Sequence, residues 1–327
     1  MMRGLLRWTT VAALLRVATP QCGSYASVTV VGRAPRAGVP LAEGCKYVYL
    51  DFGGHHGVQA RKIFEQRRYA NTNPKKMVMY EHWDAAFGEL RELWKKDVCV
   101  VGFEPNRHHE PRLRELAQRY TARGWRTTYF VAGIGVADQL RPYSIDFNAT
   151  TTNDMMFTGS LSRGDTKCDG SLVPVVDVAA FLETHVLPAT SVEKVVAKLD
   201  VEGSEYAVVK RVVERRLECA ASVWAVEWHE ASPVPGVDAR KKQDALRGAR
   251  KCTSIIEVDD EAFAWDPFPL PERLDASAGA FDPWSVYNVK DHGVFWLHGM
   301  KPHKEVAKRR SFKDTMRIQQ ARRRKPN

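Results

Sequence analysis

Absences narrow the field first. The six cysteines (22, 45, 99, 168, 219, 252) include no C-x-x-C pair and no partner histidines at zinc-finger spacing, which excludes the common redox and zinc-ribbon layouts. No apolar run approaches the roughly 18–20 residues of a membrane span, so the mature chain is expected to have no integral span. No G-x-G-x-x-G opens a helix after a strand-like run, which argues against a nicotinamide dehydrogenase. Internal repeats are missing too. The residues from Met1 to Arg36 hold five arginines and no acid.

What is present is ordinary globular material: 327 residues, 44% hydrophobic and 27% charged, enough for one large or two small domains. The formal charge of +10 is not a property of the middle. From Lys301 onward eleven Lys and Arg face only Glu305 and Asp314. With the arginine-rich start also set aside, the body between the ends is net acidic. The sequence therefore predicts a targeting leader and linker over 1–40, a folded domain over 41–300 and a basic, disordered tail over 301–327. The leader "MMRGLLRWTTVAALLRVATPQCGSYAS" fits a secretory signal slightly better than an organellar transit peptide. "GRAPRAGVP" (32–40) reads as linker, with the fold beginning near Gly44. Cys99 lies in an apolar run and reads as a small core residue. Cys45, Cys168, Cys219 and Cys252 are free to form disulfides in an oxidising compartment.

Along the middle, strand-like runs ("KYVYLDF", "DVCVVGFEP", "RTTYFVAGIG", "VVAKLDVEG", "SVWAVEWHE", "CTSIIEVDD") alternate with helical patterns ("VQARKIFEQRRY", "RHHEPRLRELAQRYTARG", "SEYAVVKRVVERR", "DARKKQDALRGARK"). Strand–helix alternation predicts an α/β fold, a mostly parallel sheet with helices on both faces. Two stretches break the rhythm: 71–97, which contains an extra helical pattern, and 139–172, which is polar and loop-like. Ligands of such sheets bind beyond the carboxyl ends of the strands.

The stretch "DFGGHHG" (51–57) falls at one of those ends. It fits a tight turn, a metal site on His55 and His56, or a cofactor cradle whose glycines let backbone approach a ligand. Adjacent histidines usually point apart, and no acid sits at helical spacing from them, so the metal reading is set aside and no metal is expected. The second strand ends "GFEPN", placing Glu104 where a carboxylate can take a ribose diol.

Together, "YLDFGGHHG", "VGFEPN", "VAGIGVAD" (131–138) and "AKLDVEGSEYAVVKRV" (197–212) resemble, in this order, the motifs of FkbM-type class I S-adenosylmethionine-dependent methyltransferases. "WAVEWHE" (224–230) resembles the strand that follows in that family. The likeness spans roughly residues 47–230. It implies a Rossmann-like class I methyltransferase fold with a seven-stranded sheet and S-adenosyl-L-methionine as cofactor. On this resemblance Asp51, Gly53, Gly54 and Gly57 would shape the loop at the methionine end. Glu104 would hold the ribose with Asn106 beside the adenosine, and the turn from Gly133 to Asp138 would lie near the adenine. The chain departs from the family in having Gly54, His55 and His56 where Ala, Asn and an apolar residue are usual.

Methyl transfer needs an aligned nucleophile and, for a hydroxyl, a base. Asp200 and Glu202 close the fourth strand and are the first candidates for the acceptor pocket. His229 follows the fifth strand and is the best generic base by its ordinary pKa, about 6.5. Glu205 and Asp177 are also explained as helix-start residues. The resemblance implies a small-molecule or glycan hydroxyl as acceptor. A nucleic-acid substrate, recruited by the basic tail, is disfavoured by the acidic middle. A binding module that keeps the fold without activity is the remaining alternative.

Overall fold

The computed structural model describes residues 28–66, 78–88, 95–142, 144–146, 158–160, 172–229, 236–259 and 270–272. The leader, Cys168 and the basic tail lie outside them. The apolar runs become strands β1 (Thr29–Gly32), β2 (Tyr47–Phe52), β3 (Val98–Phe103), β4 (Arg126–Val131), β5 (Gly133–Gly135), β6 (Gln139–Pro142), β7 (Ser144–Asp146), β8 (Thr158–Ser160), β9 (Leu172–Asp177), β10 (Lys194–Leu199), β11 (Val223–Val226) and β12 (Ser254–Glu257). The helices are α1 (Val58–Phe64), α2 (Val78–Phe87), α3 (Glu110–Ala122), α4 (Val178–Phe181), α5 (Glu205–Glu214) and α6 (Val237–Ala245).

Seven strands form one sheet in the order β1-β4-β3-β2-β10-β11-β12. All neighbours are parallel except β1, which runs antiparallel to β4. Counted in chain order, the six parallel strands read 3-2-1-4-5-6, a doubly wound arrangement whose switch point falls between β2 and β10. Because side chains alternate along a strand, each strand feeds two cores. Val48, Leu50 and Phe52 of β2 pack with Phe181 of α4 and with Val208 and Val212 of α5. Tyr49 faces the other way, among Phe64, Trp83, Leu113 and Leu116 of α1, α2 and α3. Helices therefore cover both faces, as the alternation predicts. Tyr49 meets Trp83 edge-on at 5.2 Å, and a fully buried Trp of this kind costs about 3–5 kcal/mol when cut to Ala.

The helices follow local rules. Helix α3 buries Leu113, Leu116, Ala117 and Tyr120, one face at three- and four-residue spacing. Asp177 caps α4 by accepting from the Ala179 N–H at 2.9 Å, as expected of an N-cap.

Three expectations are corrected. The fold does not begin near Gly44 after a linker: β1 pairs its backbone with β4, register Thr29 to Val131, and satisfies what would otherwise be an open sheet edge. Arg36 and Val39 form a bridge within the supposed linker. The polar stretch 139–172 is not wholly loop, because β6 joins β5 and β9 in a three-stranded sheet and β7 pairs β8. Cys99 is not a free core thiol: it is bonded to Cys45, both side chains being buried. Cys219 is bonded to Cys252, one of the pairings the sequence left open.

Candidate functional site

The loops after β2, β3, β10 and β11 meet at the carboxyl edge of the sheet, around the switch point. Parallel pairing puts Lys198 beside Asp51 and Leu199 beside Phe52. The next residues, Gly53 and Asp200, then touch. Gly53 has φ +90°, and a Cβ on it would lie 1.7 Å from the Asp200 carbonyl oxygen. Only glycine permits both that conformation and that approach. The Gly53 and Gly54 N–H groups donate to Phe103 O at 3.0 and 2.9 Å, tying the loop to the end of β3. Gly57, φ +86°, starts α1.

Glu104 sits one residue past β3 and is buried. Its Oε2 accepts from the His55 N–H and its Oε1 from the Asn106 N–H, both at 2.7 Å. Burial pushes its pKa up to about 8, against the pull of those two donors. Asp51 is likewise pushed up to about 7 by burial, with Lys198 opposing. Its Oδ1 accepts from the Tyr49 hydroxyl at 3.3 Å, whereas Oδ2 is buried without a hydrogen-bond partner among the described residues. The Tyr129 hydroxyl is orphaned in the same way. Asn106 is fully buried, its side-chain amide 3.3 Å from His109 Nε2.

The histidines of the loop do not point apart. His55 has φ +46°, a left-handed conformation uncommon outside glycine, and its ring lies 4.4 Å from that of His56, centroid to centroid. His109 approaches from the 3₁₀ turn Arg107–His109 before α3, its ring centroid 4.1 Å from His55. The expectation that these neighbours diverge fails because the positive φ turns one ring back over the next.

On the other side of the switch point Lys198, 2% exposed, donates to Asp200 Oδ2 at 2.5 Å and lies 3.7 Å from Glu227. His229 Nδ1 is 3.0 Å from Glu205 Oε1, and its Nε2 stands 3.8 Å from Asp200 and 3.7 Å from Glu202. Glu205 opens α5 and reaches back to accept the Val201 and Gly203 N–H groups at 2.8 and 3.1 Å. It thus shapes the turn between β10 and α5, while Ser204 makes no side-chain cap. Glu202 has φ +54°. The bond to Glu205 raises the His229 pKa to about 9. That shift favours the imidazolium, a cation among carboxylates, over the neutral ring that a generic base needs.

The structure thus gathers Asp51, Gly53, Gly54, Gly57, Glu104 and Asn106 on one side of the switch point and Asp200, Glu202 and His229 on the other. Gly133 lies in β5, paired with Val175. Asp138 Oδ1 accepts the Asp177 N–H at 2.8 Å, a structural bond at the start of α4. Sequence reasoning missed Lys198 and His109. A lysine inside the apolar run "VVAKLD" was the available signal for the first; nothing local marked the second.

Comparison with protein-family models, with curated proteins and with solved structures returns no match to this chain.

Proposed function

We propose that this chain is an S-adenosylmethionine-dependent methyltransferase of the FkbM type, acting on a hydroxyl of a small molecule or glycan. The observation that carries the proposal is Glu104: a buried carboxylate at the tip of β3, held by two backbone N–H groups beside the glycine loop of β2. In its ionised form each of its oxygens keeps a further lone pair, the complement of a vicinal diol. The orphaned Asp51 Oδ2 also fits a polar ligand laid close to the backbone.

When bound, S-adenosylmethionine would supply an electrophilic methyl group on a positively charged sulfur. The chain's part is to hold and align. Glu104 and Asn106 would fix the nucleoside and Asp51 the loop beneath it. Asp200, beside Lys198, would accept the proton of the acceptor hydroxyl. The His229 imidazolium, anchored on Glu205, would orient the acidic group formed by Asp200 and Glu202. Alignment of this kind contributes several kcal/mol, on the order of the 7–11 available from proximity. The two disulfides suit a secretory or other oxidising compartment.

The test is calorimetric binding of S-adenosylmethionine and S-adenosylhomocysteine to the full chain and to Glu104→Ala. Micromolar binding weakened at least 30-fold by the substitution is expected. A folded wild-type chain that binds neither refutes the proposal.

A further inference from the structure

The loop that departs from the family pattern also assembles three imidazoles. His55, His56 and His109 each present a ring nitrogen within 4.8 Å of the other two. The closest approach is between the Nδ1 atoms of His55 and His56, which face one another. His56 and His109 are 2% and 4% exposed, so the group is set into the protein and not on a solvated face. Its members come from two separate segments, the β2–α1 loop and the turn before α3, 53 residues apart in sequence.

We propose that His55, His56 and His109 bind a divalent transition-metal ion, Zn2+ foremost, and that the ion locks the β2–α1 loop against the turn before α3. Three imidazoles with no thiolate suit borderline ions such as Zn2+, Co2+, Ni2+ or Cu2+, and not the oxygen-seeking Mg2+ or Ca2+. Tetrahedral zinc with bonds of about 2.0–2.1 Å sets its nitrogens about 3.3 Å apart.

A second observation points the same way. His55 occupies a left-handed backbone conformation, φ +46°, which a β-carbon makes unfavourable. Strain of this sort persists where surroundings impose it, often at ligand sites. Here it is what turns the His55 ring towards His56 and His109; a glycine would adopt the turn freely and supply no ligand.

The same His55 whose ring would take the ion gives its N–H to Glu104. An ion on the rings therefore fixes the backbone that holds Glu104 in place. The inference stands without the methyl-transfer reading, since it rests on the imidazoles alone.

The experiment uses the full untagged chain, stripped with chelator and titrated with Zn2+ in competition with a chromophoric chelator. Co2+ is added in parallel for its visible bands. Expected are one equivalent of Zn2+ at micromolar affinity or tighter and Co2+ bands of tetrahedral intensity. His109→Ala and His55→Gly should each weaken binding at least 100-fold. His55→Gly relieves the backbone, so its metal-free melting temperature should equal or exceed that of wild type, which separates ligand loss from unfolding. His229→Gln should bind as wild type does, because the Asp200–Glu227–His229 group is not the site. No binding by wild type overturns the proposal. So does binding that survives both His109→Ala and His55→Gly, or binding that is lost in His229→Gln.

Discussion

His229 should make the stability of this protein depend on pH in a way that one substitution removes. Its folded pKa is raised to about 9 by the bond to Glu205, with further help from Glu202 and Asp200. The unfolded value is about 6.5. A histidine raised on folding contributes stability that is complete below the unfolded pKa and lost as pH rises through the folded one. The window is therefore pH 6.5 to about 9. A shift of that size corresponds at most to about 3 kcal/mol, but the side chain is 28% exposed, and solvent screening reduces the expected contribution to about 1–2 kcal/mol. Urea unfolding of wild type and His229→Gln at pH 6 and pH 10 measures it. Wild type should be more stable than the variant by about 1–2 kcal/mol at pH 6 and by close to nothing at pH 10. Asp51 and Glu104 titrate in the same range, but they are common to both proteins and cancel in the difference. A difference that stays flat, or grows with pH, refutes the assignment of His229 as an imidazolium held by Glu205.

Gly53→Ala should destabilise the fold by about 3–4 kcal/mol, combining an unfavourable positive φ with overpacking against the Asp200 carbonyl. A loss below about 1 kcal/mol in denaturant unfolding would show that the β2 and β10 loops are not in contact. Removing the Cys45–Cys99 bond with paired alanines opens a link between residues separated by 54 positions. The chain-entropy estimate for that loop is about 4 kcal/mol. Free thiols at 45 and 99 in non-reduced, unfolded protein, detected by alkylation and mass spectrometry, would remove the basis for this expectation.

The sequence by itself determined whatever local periodicity and turn chemistry dictate. Apolar runs with strand composition, alternating with helical faces, determined the α/β class and a parallel sheet with helices on both sides. Glycine-rich and acidic strand ends marked where a site would form, and Asp51, Glu104 and Asp200 all lie there. The resemblance that suggested a cofactor came from the same segments. Asp177 was legible as a helix cap because capping is decided within a few residues.

Tertiary structure alone decided everything that depends on who sits beside whom. The β1 strand is four residues long and too short to be told from a linker until the β4 edge gives its backbone a partner. Cys99 looks like any core residue until Cys45, 54 positions earlier, is brought against it. Lys198 is a charge in an apolar strand, made tolerable by Asp200 and Glu227 at the sheet edge. His229 reads as a neutral base in isolation, and its charged form is favoured because Glu205, 24 residues away in sequence, bonds to its ring. His55 and His56 have no third imidazole at helical spacing, and the fold brings His109 beside them from the neighbouring strand's loop. Protonation preference and the neighbours of each ring are set by distances of a few ångströms between segments remote in sequence, and those distances exist only once the sheet has brought its strand ends together.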